Sequence, residues 1–303
     1  MTTLDVREKR FSMKKTNELC ESAAENTSFV MEFGNDVDQW IFSSIAADGG
    51  KITEFSLNGR NILTGPEVNA DYYGSSFIVG PEEAIGGFPP PAPFDFNDYS
   101  VAVDEVENRV ILTGENYPPL KLQLKKTFTP NIENLSVDIV YTIINTGDVP
   151  SAWAPWEITR VAPNGLTFYP QGDGAPHVPW GTFDYIQTDR ITWFKHDQSV
   201  NAAPGKLFSD GADGWIAHTD GKLVLIKVHE DIPVAEQAPD EAEIEIFSIG
   251  DYVEVEVLGA YTEIPAGGEV SWSTSWYLRE LPQGMEATAG NKALVEFVER
   301  VIR

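Results

Sequence analysis

The chain has 303 residues, 42% of them apolar and 22% charged, which is enough for a real core and excludes wholesale disorder. Its 21 Lys+Arg against 47 Asp+Glu give a net charge of −26, a field that repels phosphate backbones and anionic lipid, so neither nucleic acid nor a membrane surface is expected as a partner. A single cysteine, Cys20, excludes an intramolecular disulfide and a Cys-based zinc cage.

Residues 1–27 read as a polar, flexible leader. This segment has charges but no apolar h-region, and no stretch of the chain reaches the roughly 18 apolar residues that span a bilayer, so the cytoplasm is the expected location. From Ser28 the texture becomes short apolar runs punctuated by Gly, Pro, Asn and Asp, the pattern of many antiparallel strands. Strands are predicted over 39–46, 51–57, 109–113, 121–128, 135–145, 221–229, 242–247, 252–258 and 270–278. Turn signals such as Asn58-Gly59, Asn164-Gly165 and Asp220-Gly221 separate them. No repeat of fixed period and no linker interrupts them, so 28–303 is read as one domain. The low-complexity stretch Gly86–Phe94 cannot be helix or central strand, and a loop of this kind often covers a binding site. Its Phe88 and Phe94 offer apolar contact to a ligand. Ala293, Leu294, Phe297, Val298, Val301 and Ile302 recur at helical spacing behind Gly290-Asn291, which predicts a helix over 291–303.

No nucleotide loop, no zinc-protease histidine pair and no Gly-x-Ser-x-Gly elbow is present. The hairpin 242–258 is more informative. Alternation puts Glu243, Glu245 and Phe247 on one face of its first strand, and Tyr252, Glu254 and Glu256 on the same face of its second. Ile244, Ile246, Val253, Val255 and Val257 take the other face. A turn centred on 249–250 sets Glu245 against Glu254; one centred on 250–251 shifts the partners by two and keeps the faces. Either way carboxylates face carboxylates, which is unfavourable unless water and salt, a cation or a raised carboxyl pKa relieves it. A solvated acidic face, a site wall with one carboxyl as general base, and a divalent cation such as calcium are the alternatives; no other cofactor is implied.

A counter-charge is available upstream, where alternation places Lys227 and His229 on one face of the strand over 221–229. The second informative segment is Asn145–Val161. Two indoles, Trp153 and Trp156, stand beside Glu157 and Arg160. Aromatic faces stack on the C–H face of a pyranose and charged forks hold its hydroxyls, although Trp153 and Trp156 in the core beside a local Glu157–Arg160 ion pair would give the same pattern.

At these residues the chain resembles the galactose mutarotase-like (aldose 1-epimerase-like) supersandwich superfamily. Asn145-Thr146-Gly147-Asp148 and the aromatic-Pro segment after it resemble the turn and strand that lead to the first catalytic histidine of sugar epimerases. Glu254-Val255-Glu256, then Ile264-Pro265-Ala266-Gly267-Gly268-Glu269 and the strand Trp272–Leu278, resemble the end where a base glutamate precedes the last strand. Within the superfamily the chain is most similar to an uncharacterised family, with landmarks Gly49-Gly50-Lys51-Ile52, Phe88-Pro89-Pro90-Pro91, Pro155–Arg160, Pro204-Gly205-Lys206-Leu207 and Gly214-Trp215-Ile216-Ala217. The resemblance covers roughly residues 28–282. It implies an all-β, large twisted antiparallel supersandwich with a C-terminal helix, and a carbohydrate ligand. It also departs from the family: Glu157 stands where the first histidine would be, and His229 is the nearest candidate for the second.

The functional expectation is therefore carbohydrate recognition. Epimerase or mutarotase chemistry through paired carboxylates is open, with a non-catalytic binding protein or a glycosidase or lyase relative as rivals. Glu254 and Glu256 are the candidate bases, and His229 or Glu157 the candidate acid. Trp156, Arg160, Lys206, Lys227, Glu245, Phe88 and Trp215 are the candidate substrate contacts. Glu157, Arg160, Lys227, Glu245, Glu254 and Glu256 are expected to converge on one cleft. The oligomeric state is not readable.

Overall fold

The computed structural model describes residues 10–18 and 26–303, with side chains from Ser28 onward. Cys20 and most of the expected leader lie outside the described residues. Within that leader, however, Arg10–Glu18 is a strand paired antiparallel with Asn26–Gly34.

The described residues form two antiparallel sheets of 12 and 10 strands. The larger runs Arg10–Glu18, Asn26–Gly34, Gln39–Ile45, Lys51–Leu57, Ser75–Gly80, Ser151–Val161, Tyr252–Leu258, Ile244–Ile249, Gly205–Ser209 and His177–Trp180, with two short strands beside this path. The smaller runs from Ile186–Thr188 through Ile191–Lys195, Leu166–Pro170, Trp215–Thr219, Leu223–Val228 and Glu269–Glu280 to Ser136–Asn145, Leu122–Asn131, Arg109–Thr113 and Ser100–Asp104. This is the expected all-β supersandwich.

Period-two alternation builds the core. Along Leu122–Asn131 every second residue is buried, Leu122, Leu124, Lys126 and Phe128 among them. Phe42 and Phe55 of the larger sheet close on Trp276 of the smaller, with ring centroids 6.4 and 6.1 Å apart. Asn58 and Gly59 both take positive φ, 53° and 78°, which suits a tight two-residue turn matched to the strand twist.

A second core lies beneath the C-terminal helix Lys292–Ile302. Asn291 caps it by accepting from the Ala293 N–H at 3.1 Å. Leu294 and Val298 bury against Phe168, Trp193 and Trp215. Trp215, read from sequence as a substrate contact, is thus a core residue, its ring 5.8 Å from that of Phe168.

The Pro-rich stretch also differs from expectation. Ala92–Asp95 is a one-turn helix with Pro91 as its N-cap and Pro93 in the first turn, where a missing N–H costs nothing. Phe94 is fully buried against Tyr117 and does not serve a ligand.

Candidate functional site

The hairpin Ile244–Ile249/Tyr252–Leu258 turns at Gly250-Asp251 and pairs Glu245 with Glu256 and Phe247 with Glu254. Its neighbours extend this into rows across the larger sheet. Arg160 opposes Glu254, Glu254 opposes Phe247, Phe247 opposes Lys206, and Lys206 opposes Trp180. The adjacent row is Ile158, Glu256, Glu245 and Phe208. Directly paired residues share a face, so both rows stand on one side of the sheet.

That side carries a cleft of about 280 Å³. Tyr72 and Phe88 line it, as do Trp180, Phe247 and Tyr252. Glu82, Lys206 and Glu254 complete the lining. Phe88 meets Trp156 edge-on at 5.8 Å and Tyr72 at 6.4 Å. Phe247 lies 5.8 Å from Trp180 and 6.1 Å from Tyr252. Strand order separates the two aromatic groups: Tyr72 and Phe88 flank Ser75–Gly80, and the others belong to strands on the far side of Ser151–Val161.

The floor is a network of ion pairs. Arg160 Nε donates to Glu254 Oε1 at 2.8 Å and Nη1 to Ser76 Oγ at 3.0 Å, and its guanidinium lies 5.4 Å from the Tyr72 ring centroid. Lys206 Nζ sits 2.6 Å from Glu245 Oε2 and 3.2 Å from Glu256 Oε2. The Trp156 Nε1–H donates to the same Glu256 oxygen at 2.8 Å. The cation between the facing carboxylates is therefore the protein's own lysine. Among the described residues no group of three or more His, Cys, Asp or Glu is arranged to hold a metal ion.

Burial works against the Lys206 ammonium, but Glu245 and Glu256 outweigh it and hold its pKa above the ordinary value. Burial pushes Glu245 and Glu256 up to about 8, because one ammonium cannot offset desolvation and mutual repulsion for both. Burial likewise raises Glu241, whose Oε1 accepts from the Glu82 N–H at 2.7 Å. Glu254 reaches the cleft with its side chain 12% exposed, and Glu256 lies sealed beneath with 1%.

Glu157 and Lys227 do not join this face. Glu157 directly follows Trp156 along the strand, so its side chain points between the sheets. There Glu157 Oε2 pairs with Lys227 Nζ at 2.8 Å. Its Oε1 accepts from Tyr141 OH at 2.8 Å and Trp276 Nε1 at 3.1 Å. Lys227 also donates to Thr159 Oγ1 and the Val255 carbonyl, at 3.0 and 2.9 Å. The expected six-residue convergence thus fails for this pair, which is a buried bridge between sheets.

His229 is buried elsewhere, its Nδ1 3.5 Å from Glu243 Oε1, and burial lowers its pKa to about 4. No histidine lines the cleft. Phe88, 41% exposed, is the one aromatic of the Pro-rich loop that reaches the cleft. Tyr72, Glu82 and Trp180 escaped the sequence reading; alternation had put Phe247 and Tyr252 on the right face without singling them out.

A family model described as a domain of unknown function, DUF4380, matches residues 25–279. The chain belongs to this family. Among curated proteins none matches it. Among solved structures it is similar to a TPR-domain containing protein from Parabacteroides distasonis, with TM-score 0.61 and 14% identity over 94% of this chain; the chain spans 57% of that protein. It is also similar to a galactose mutarotase-like protein from Lactobacillus casei, with TM-score 0.57 and 10% identity, covering 82% of this chain and 100% of the other. A galactose mutarotase-like protein from Clostridium acetobutylicum gives 0.53 and 10%, over 89% and 99%. At these identities the likeness establishes the fold: the DUF4380 chain has the galactose mutarotase-like supersandwich architecture.

Proposed function

We propose that this protein binds a carbohydrate in the cleft between the two aromatic groups. The observation that carries the reading is the row Arg160–Glu254–Phe247–Lys206–Trp180, which lines up a carboxylate, an ammonium and two aromatic faces at the cleft. Trp180 and Phe88 offer stacking surfaces to the C–H face of a sugar ring. Glu254 accepts from hydroxyls, and Lys206 and the Tyr72 and Tyr252 hydroxyls donate to them.

A second reading, anomer interconversion, rests on Glu254 and Lys206 lining the same cleft. Mutarotation requires a base at the anomeric hydroxyl and an acid at the ring oxygen. Glu254 suits the first role, but Lys206, held above its ordinary pKa by Glu245 and Glu256, is a weak acid for the second; Glu256 serves by holding Lys206 and Trp156. A glycosidase relative would need a second carboxyl beside Glu254, and Glu157 cannot supply it because it faces the other way. The absence of histidine from the cleft lining favours binding without catalysis.

The test is an NMR titration with a panel of sugars, together with polarimetry on freshly dissolved anomers. Binding to one or more sugars supports the proposal; a panel that leaves every resonance unmoved defeats it. If interconversion exceeds the buffer rate, Glu254→Gln should cut it by about 10²–10⁴-fold with binding retained. Binding without acceleration assigns a non-catalytic carbohydrate-binding role.

A further inference from the structure

The chemistry lining the cleft narrows the ligand further than an aromatic platform alone would. Five of its lining residues are aromatic and two are acidic. The two cations of the floor are already committed: Arg160 to Glu254 at 2.8 Å, and Lys206 to Glu245 and Glu256. Glu82 also lines the open volume, and among the described residues no Lys or Arg pairs with it. A ligand anion would meet a carboxyl there with no protein cation to offset it; a ligand cation would take the place beside Glu82 that no protein cation fills.

The rings divide in the same sense. A ring face is negative and attracts a cation within about 6 Å of its centroid. The protein's own cations already use the rings of the floor. Lys206 Nζ lies 4.9 Å from the Trp156 ring and 5.5 Å from Phe208, and Arg160 lies 5.4 Å from Tyr72. Among the described residues no protein cation sits on the rings of Phe88, Trp180, Phe247 or Tyr252, which line the open volume. An aromatic slot with carboxylates at its edge is the arrangement that recognises ammonium groups.

We propose that the cleft takes a ligand carrying a protonated amine, with the amine held between the aromatic groups by Glu82 and the free ring faces. Resting on the carbohydrate reading above, the ligand class is an amino sugar with an unblocked amine. A neutral sugar would use the same stacking faces and forgo the charge. An N-acetylated sugar would bring a neutral amide to Glu82 and forgo the charge as well.

The experiment is isothermal titration of the full chain at pH 6, where the amine of glucosamine is protonated, with glucose, N-acetylglucosamine and choline as comparison ligands. Glucosamine should bind at least about tenfold tighter than glucose or N-acetylglucosamine. Glu82→Gln should weaken glucosamine more than glucose. Equal or tighter binding of glucose or N-acetylglucosamine overturns the amine inference and leaves the carbohydrate reading standing. Binding of choline with no sugar bound sustains recognition of the ammonium and removes the carbohydrate reading. Silence from all four ligands overturns both.

Discussion

Replacing Lys227 with methionine tests the assignment of the Glu157–Lys227 pair to the inter-sheet core. The ammonium is buried and makes three contacts: Glu157 Oε2 at 2.8 Å, Thr159 Oγ1 at 3.0 Å and the Val255 carbonyl at 2.9 Å. Burial is the largest influence on it and lowers its pKa, with Glu157 acting in the opposite direction. Removing one partner of a buried pair costs about 3–5 kcal/mol, since the other charge stays desolvated. Glu157 keeps Tyr141 and Trp276 as donors, which softens the loss; two acceptors lose their donor, which adds to it. About 4 kcal/mol is the resulting expectation. With an unfolding entropy of about 2.1 cal/mol/K per residue over 303 residues, each kcal/mol moves Tm by about 1.6 °C, so the midpoint should fall by about 6 °C. The double variant Glu157→Gln/Lys227→Met removes both charges and keeps an amide oxygen for Tyr141 and Trp276. It should recover at least half of the loss. The assay is thermal and urea unfolding by circular dichroism, with ligand affinity measured in parallel and expected to hold. A Lys227→Met protein as stable as the parent, or a double variant no better than the single, refutes the account of this pair. Loss of affinity without loss of stability would return Lys227 to the site.

Stability should fall as pH rises from about 6.5 to 8. Glu243, Glu245 and Glu256, raised by burial to about 8 against an ordinary 4.5, keep protons in the fold that the unfolded chain releases, so their contribution is full below 4.5 and lost on the way to 8. His218 and His229, lowered by burial to about 4, work the other way but only between about 4 and 6.5. Lys126, lowered by burial to about 7, restores part of the loss above 7. Urea titrations across this window should give the negative slope, and Glu243→Gln should flatten it; a flat parent profile defeats the assignment. Trp180→Ala, at a side chain 46% exposed, should shift stability by no more than about 0.5 kcal/mol while weakening ligand binding severalfold in calorimetry. Lys51→Met should loosen the Pro-rich loop, because Lys51 Nζ holds the Asp95 carbonyl and Asp48 Oδ1, each at 2.7 Å; faster limited proteolysis within 86–97 is the readout, and an unchanged cleavage rate counts against that anchor.

Alternation made the hairpin legible. The faces of Glu245, Phe247, Tyr252, Glu254 and Glu256 follow from period two alone, and the observed register is the one centred on Gly250-Asp251. The same rule separates Glu157 from Trp156 and Arg160. The likeness of Glu157 to a displaced catalytic histidine drew it into the site against its own strand geometry. Lys227 fell to a different cause: a lysine on an apolar strand face looks like a counter-charge for any acidic surface, and its actual partner comes from another sheet. Pairing between strands distant in sequence is not written in local spacing.

Lys206 shows where the remaining information lies. Its place in the site depends on Gly205–Ser209 pairing with Ile244–Ile249 in a register that sets Lys206 opposite Phe247 and Phe208 opposite Glu245. A slip of one residue would turn Lys206 to the inner face and leave Glu245 and Glu256 facing each other with no cation. The acidic hairpin and the lysine strand are therefore one unit. Each presents a buried charge that is unfavourable alone, and the paired register satisfies both at 2.6 and 3.2 Å. Tyr72, Glu82 and Trp180 reach the cleft from a loop, a short helix and an edge strand, where no periodicity announces orientation. Their convergence follows from the sheet order that carries the lysine.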